Sequence, residues 1–321
     1  MFFDLFRAVL ILFVMIIPGF IMRKLKLAGD TLPLGFANTI LYITQPAMLV
    51  VGFWRARDLG IIKDALVVLV LSFLTHILFL LAVKLFYKGA DKARQKVYRF
   101  GTVFSNAGYM GIPLIEMAVS EEATIYASIY LIAFNFFCWS YGALIYSEDK
   151  SYISPFKMFV NAATIPTLIG IIIFATDFSC VIPAPISEFI YDALTMLKNT
   201  VAPMSMMIIG MRLADLKLKG AFKDAYMYLG FALRLLVFPL GAFGLIVITK
   251  LIGLETIDAF KVVLICSATP VASATSMFAE KFHSDTVSAS KFVSFSTVLS
   301  LATMPLMALL LEIIPFIPSL I

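Results

Sequence analysis

The feature that most constrains this chain is a series of long, nearly uncharged apolar runs. A helix needs about 20 apolar residues to cross the hydrocarbon of a bilayer. Apolar residues make up 61% of the chain and charged residues only 14%, a balance typical of bilayer proteins. The runs cover residues 2–22, 31–54, 64–86, 97–119, 124–147, 158–177, 188–212, 226–249, 256–282 and 286–312. Because helices satisfy their own backbone groups in lipid, we predict an all-α integral membrane protein with ten transmembrane helices.

The basic residues between these runs predict the orientation of the chain. Lys and Arg are concentrated in alternate connections, at 23–26, 84–99, 150–157, 212–223 and 281–291. The positive-inside rule places these connections in the cytoplasm and both termini outside. The net charge of +5 is therefore a topology signal, and we expect a multi-pass protein of the plasma or bacterial inner membrane that binds no nucleic acid. Since the first run is followed, not preceded, by basic residues, we expect it to remain as a membrane helix.

The ten predicted helices divide into two groups of five at a polar, proline-containing segment, residues 148–157. An odd number of helices in each half inverts the second half relative to the first, a plan found in many secondary transporters. We therefore predict a first five-helix repeat over 1–147, a cytoplasmic linker over 148–157 and an inverted repeat over 158–321.

Helix-breaking residues occur in the fourth predicted helix and in the ninth, its counterpart in the second half. The fourth carries Gly108, Gly111 and Pro113, and the ninth has Pro270 at its middle. Proline removes a backbone donor, and a carbonyl freed in this way persists in a membrane only inside protein or beside a polar cavity. We predict helix breaks at Gly111, Pro113 and Pro270 with a binding site between them, although two ordinary proline kinks would give the same pattern.

Polar residues near the middle of several helices indicate the candidate site. Asn, Gln and Lys are costly at that depth and usually face the bundle interior. The residues selected for substrate binding are Ser105, Asn106, Gly108, Asn135, Lys198, Thr269 and Pro270. His76 is a candidate for proton coupling because histidine titrates near neutral pH, and the oxygens of Ser267 and Thr275 are candidates for binding Na⁺.

Each of these residues also has a structural interpretation. Lys198 could pair within the bundle, and Gln45 and Asn199 are expected to join helices through hydrogen bonds. Arg234 lies about two turns from the cytoplasmic end of its predicted helix, so we expect its side chain to snorkel to the membrane surface.

The chemistry of such a cavity favours an anion. The N-termini of broken helices present backbone donors and the positive end of the helix dipole, and Lys198 would add a charge. Among acidic residues only Glu116 lies well inside a predicted helix, which disfavours a cation pump. A carrier of neutral or sterol-like solutes and a membrane sensor without transport remain open alternatives. With two histidines, no nucleophile–base pattern and no phosphate-binding loop, we expect neither an enzyme nor a cofactor, apart from Na⁺ or H⁺ coupling.

Three stretches of the chain resemble the auxin efflux carrier family, which includes the plant PIN-FORMED transporters and bacterial organic-anion carriers. They are NAGYMGIPL at 106–114, NAATIPTLIG at 161–170 and SATPVASATSMFAEKF at 267–282. The resemblance implies a bile-acid-transporter-like fold in which broken helices 4 and 9 cross. It further implies that helices 1, 2, 6 and 7 form a scaffold, that helices 3–5 and 8–10 move as an elevator, and that a homodimer forms through helices 2 and 7.

The resemblance also implies roles for individual residues. Asn106 matches the amide beside the crossing, Pro270 the crossing proline, and Asn135 a polar amide four residues before Trp139. Ser105 and Val271 depart from the plant pattern, which has proline and a polar residue at these positions. We therefore expect a smaller carboxylate than indole acetate as the substrate.

Overall fold

The computed structural model of the protein describes residues 1–147, 164–216, 224–254 and 256–318. Within these ranges the regular structure is helical, and the single β feature is one isolated bridge. The helices before residue 148 are α1 (Phe2–Val14), α2 (Ile16–Lys24), α3 (Leu32–Thr39), α4 (Gln45–Phe53), α5 (Gly60–Val83), α6 (Lys92–Val103), α7 (Ile112–Ala118), α8 (Thr124–Phe137) and α9 (Ala143–Ser147). The predicted linker, 148–157, lies outside the described residues.

The helices after residue 163 are likewise divided into short segments. They are α10 (Thr164–Ala175), α11 (Phe178–Val181), α12 (Ala184–Lys198), α13 (Val201–Asp215), α14 (Ala225–Ala232), α15 (Phe238–Leu251), α16 (Ile257–Ala268), α17 (Ala274–Lys281) and α18 (Thr286–Ile313), which ends in a 3₁₀ turn at Ile314–Phe316.

Six helical segments in the described part of the chain are long and apolar enough to cross a membrane. They are Phe2–Lys24, Leu32–Phe53, Gly60–Val83, Thr124–Ser147, Ala225–Leu251 and Thr286–Phe316, and each coincides with one of the predicted runs. The other four predicted runs do not form such segments. Runs 97–119 and 256–282 are interrupted, run 188–212 is divided at Asn199–Thr200, and run 158–177 is described only from Thr164.

Three prolines inside the apolar segments follow a widened helical turn instead of a break in the helix. Each of Pro46, Pro113 and Pro239 stands in the first turn of a helix that directly follows a π turn, at Ile40–Thr44, Ala107–Gly111 and Leu233–Val237 respectively. A proline ring clashes with the carbonyl four residues earlier and donates no hydrogen bond, and a π turn accommodates both effects. The breaks predicted at Gly111 and Pro113 are therefore corrected: both residues lie in the continuous helical segment 107–118.

Helices α2 and α13 are in close contact. A Cβ atom added at Gly19 would overlap the backbone of Met207, and one added at Gly210 would overlap the backbone of Ile16. Two glycines facing opposite ways across one interface allow the backbones to touch, as small residues do between membrane helices. This contact fixes the first predicted helix against the seventh.

Buried side chains form two clusters, and the helix interruptions lie where one cluster ends and the other begins. Phe104 and Val271 belong to an aromatic-rich cluster, while Ala107 and Cys266 belong to the larger aliphatic cluster. The polar residues of the interruptions are thus placed deep in the protein, between two apolar cores.

Candidate functional site

The two interrupted helices meet at their non-helical segments. Helix α6 ends at Val103 and helical structure resumes at Ala107, while α16 ends at Ala268 and α17 begins at Ala274. Between these helix ends, Ser105 pairs with Val271 in an antiparallel bridge.

Main-chain hydrogen bonds hold this pairing. The amide of Asn106 donates to the carbonyl oxygen of Pro270 at 2.8 Å, and the amide of Ala272 donates to that of Phe104 at 2.9 Å. A broken helix exposes backbone donors and acceptors that cannot stay unpaired in a membrane interior. The two interruptions therefore satisfy each other, and we refer to residues 104–106 and 269–273 together as the crossing.

Pro270 explains the local conformation of the second interruption. A proline disfavours the helical conformation of the residue before it, and Thr269 is extended, with φ −61° and ψ 151°. The Thr269 hydroxyl donates to the carbonyl of Cys266 at 2.8 Å and so caps the end of α16. Among the described residues, Pro270 thus lies in an interruption of the helix, as its position in the sequence predicts.

A cavity of about 50 Å³ adjoins the crossing. Of the predicted substrate-binding residues, Ser105, Asn106, Gly108 and Asn135 line it, and it is also lined by Gln45, Tyr109 and Trp139. None of its lining residues within the described ranges carries a charge. The structure therefore brings together three side-chain amides from separate parts of the chain, those of Gln45, Asn106 and Asn135.

Two polar atoms of residues that line this cavity have no hydrogen-bond partner among the described residues. They are the Ser105 hydroxyl and the Asn106 side-chain nitrogen Nδ2, both deeply buried. A buried polar group left unpaired costs about 1–3 kcal/mol. This cost would be relieved by a ligand, or a water molecule, that accepts from Asn106.

The other predicted binding residues lie elsewhere. Thr269 and Pro270 belong to the crossing and do not line the cavity. Lys198 ends α12, and its ammonium group donates to Glu116 Oε1 at 2.8 Å. The structure therefore does not bring Lys198 to the cavity, and its charge is paired with a carboxylate.

The predicted coupling residues are buried at different places around the crossing. His76 packs against the rings of Tyr130 and Phe137, with centroids 5.4 and 5.8 Å away, and its Nδ1 atom lies 2.7 Å from the carbonyl oxygen of Ser72. The Ser267 hydroxyl lies 3.3 Å from that of Tyr130. The Thr275 hydroxyl is buried and has no partner among the described residues.

Arg234, which the sequence analysis placed at the membrane surface, is buried. It has 0% exposure, so its side chain does not snorkel to the membrane surface. Its Nη1 atom donates to the carbonyl oxygens of Thr102 at 3.2 Å and Val103 at 2.9 Å, and its Nη2 atom donates to that of Ser267. An arginine inside an apolar run is the only available sequence signal, and that signal does not distinguish snorkelling from burial.

Two comparisons with known proteins identify the family of this chain. A family model described as membrane transport protein matches residues 4–155 and 151–308. An uncharacterized transporter of Methanothermobacter thermautotrophicus is 24% identical over 307 residues, which cover 95% of this chain and 98% of that protein. The stretches at 106–114 and 267–282 overlap the crossing, and the chain belongs to the membrane transport protein family, the family of the auxin efflux carriers.

Proposed function

We propose that this membrane transport protein is a secondary transporter that moves a small organic anion, a carboxylate, bound in the cavity beside the crossing. The observation that carries the proposal is the unpaired Nδ2 atom of Asn106, a buried donor at the edge of a cavity lined by further amides. A carboxylate is an acceptor-only group when ionised, so it suits a site whose free groups are donors.

The helix ends beside the cavity support the preference for an anion. The helical segments that begin at Ala107 and Ala274 start at the crossing, and Ala274 lines the cavity. The N-terminus of a helix carries a partial positive charge and free backbone amides. Lys281 adds a full charge nearby, since its ammonium group lies 5.4 Å from the centre of the Trp139 ring, which lines the cavity.

The proposal includes the architecture of ten transmembrane helices in two inverted five-helix repeats. In this view the interrupted pairs α6–α7 and α16–α17 are the fourth and ninth helices, and they cross at the Ser105–Val271 bridge. The tight contact of α2 with α13, at Gly19 and at Gly210, supports a rigid scaffold that contains the first and seventh helices. The remaining parts of the proposal are an elevator movement of helices 3–5 and 8–10 against this scaffold, and a homodimer through helices 2 and 7.

A thermal-shift screen of the purified chain tests the substrate class. A ligand that binds only the native state raises the unfolding midpoint, and it does so increasingly with concentration. We expect small carboxylates to raise the midpoint of the wild type and of Asn38→Ala, which removes an exposed asparagine from α3. We expect no such rise in Asn106→Ala, and uptake of the same carboxylate into proteoliposomes should follow this ranking. Equal stabilisation of all three proteins would contradict the proposed site.

One observation favours a second candidate, a carrier of neutral solutes. The described lining of the cavity is uncharged. Lys198 pairs with Glu116 and does not line the cavity. Stabilisation by neutral or sterol-like compounds, with none by carboxylates at any pH, would establish this second function and reject the first.

A further inference from the structure

Two helix C-termini converge on one buried cation. The carbonyl oxygens of Thr102 and Val103 end α6, and that of Ser267 ends α16; all three accept hydrogen bonds from the guanidinium group of Arg234. Arg234 itself belongs to the π turn between α14 and α15. A single side chain therefore joins the C-terminal ends of α6 and α16. The helical segments that resume at Ala107 and Ala274 begin on the other side of the crossing.

The charges at this point balance. The C-terminus of a helix carries roughly −0.5 of an elementary charge, so two such ends together present about −1, which one guanidinium group neutralises. Helix C-termini that meet without a cation would repel each other inside the low-dielectric interior. The crossing thus needs a positive charge where Arg234 provides one.

The surroundings of Arg234 show that this charge belongs to the helix ends. Within the described part of the chain it forms no ion pair with a carboxylate; the faces of Phe79 and Phe238 lie 5.5 and 6.0 Å from its guanidinium carbon. A buried charge is costly unless it is paired or well hydrogen-bonded. Here the carbonyl oxygens, and secondarily the two rings, supply that stabilisation.

In transporters with broken helices, unwound carbonyls and half-helix C-termini commonly coordinate Na⁺. We propose that Arg234 occupies the corresponding position in this protein, as a cation that is part of the chain, and that transport therefore does not use Na⁺ at the crossing. This inference rests on the proposed transport function. It assigns Arg234 as a positioning residue, and it removes the carbonyl of Ser267 from the groups available to a coupling ion.

The first test uses the wild-type protein and needs no substrate. The unfolding midpoint of the purified full chain is measured in NaCl, KCl and N-methylglucamine chloride at equal ionic strength. We expect the same midpoint in all three salts. A saturable rise specific to Na⁺ would overturn the inference, whether or not any carboxylate is found to bind. For a carboxylate that is transported, uptake into proteoliposomes should be equal with and without a Na⁺ gradient; a requirement for Na⁺ would also overturn it.

The second test replaces the cation and then returns it. Arg234→Ala leaves three carbonyl oxygens unpaired, and we expect a lower unfolding midpoint that millimolar guanidinium chloride partly restores, relative to tetramethylammonium chloride. Arg57→Ala is the matched control, since Arg57 is an exposed arginine that also faces a backbone carbonyl, that of Ala175. We expect no guanidinium-specific rise in this control. An Arg234→Ala protein that is as stable as the wild type in every salt would overturn the inference, and if this variant does not fold, the wild-type measurement decides.

Discussion

The backbone amide of Asn106 and the carbonyl oxygen of Pro270 are joined by a hydrogen bond of 2.8 Å. Asn106 thus has two separate roles: its main chain holds the crossing together, while its side-chain nitrogen is unpaired beside the cavity. Because the first role does not involve the side chain, Asn106→Ala should keep the crossing intact. This separation makes the variant a clean test of binding.

We predict that Pro270→Ala lowers the transport rate. Proline holds Thr269 extended, and alanine would release that restriction and allow helical conformations at the crossing. Replacing a proline whose conformation suits the native backbone costs about 0.4–1 kcal/mol of stability, too little to unfold the protein. Transport in proteoliposomes and thermal unfolding should be compared with Pro33→Ala, which alters a proline at the start of α3. A transport rate equal to that of the control would show that the proline is incidental.

We predict that the Lys198–Glu116 pair stabilises the fold and does not bind substrate. Lys198 is 6% exposed and Glu116 is 32% exposed, so removal of the carboxylate leaves the more deeply buried charge unpaired. Glu116→Ala should therefore lower the free energy of unfolding by about 1–3 kcal/mol, and more than Lys198→Met does. Ligand affinity should be unchanged in Lys198→Met. Loss of carboxylate binding in a stable Lys198→Met protein would return Lys198 to the substrate site.

We predict that Gly210→Ala is strongly destabilising and that Gly244→Ala is not. The added methyl group at Gly210 meets the backbone of α2, which cannot move aside as a side chain can, whereas nothing lies within 4 Å of the same addition at Gly244. In the middle of a helix, alanine is more favourable than glycine by about 0.5–1 kcal/mol. The unfolding midpoint should fall for the first variant and rise slightly for the second, and equal midpoints would contradict the observed contact between α2 and α13.

We predict a small acid-dependent loss of stability at the start of α6. The pKa of Asp91 is held below its usual value because the backbone amide of Arg94, and then its guanidinium group, donate to the ionised carboxylate. A lowered folded-state pKa contributes stability above the unfolded value, about 3.9, and this contribution is lost as the pH falls below it. Asp91→Asn keeps a good capping residue at this helix. Because the variant has no carboxylate to protonate here, it should lose less stability than the wild type between pH 5 and pH 3. Parallel curves for the two proteins would contradict this prediction.

Much of the bundle follows from simple physical rules. Apolar length alone identified the six helical segments that the structure forms, because the bilayer imposes a minimum length that few other constraints can mimic. The positions of the breaks were harder to predict. Pro270 lies in an interruption, but Pro113 does not, because a π turn absorbs its ring and its missing donor.

The candidate site was predicted unevenly for a similar reason. Asn106 and Asn135 face the cavity as expected for polar residues in a bundle interior, and Gln45, expected to join helices, lines the same cavity. Lys198 and Arg234 could not be placed, since the depth and direction of a long cationic side chain depend on partners distant in the sequence. Glu116 is 82 residues from Lys198, and Thr102 is 132 residues from Arg234.

The bridge between Ser105 and Val271 has a consequence for how such proteins diversify. Its hydrogen bonds use only main-chain atoms, which every amino acid except proline supplies in full. Most side chains that line the cavity can therefore be exchanged in evolution while the main-chain pairing between the two interruptions is kept. Where a pocket is held together by side chains alone, a substitution that changes its lining can also destabilise the fold. At Ser105 and Asn106 the main-chain atoms hold the two interruptions together, and the side chains line the cavity and are free to vary.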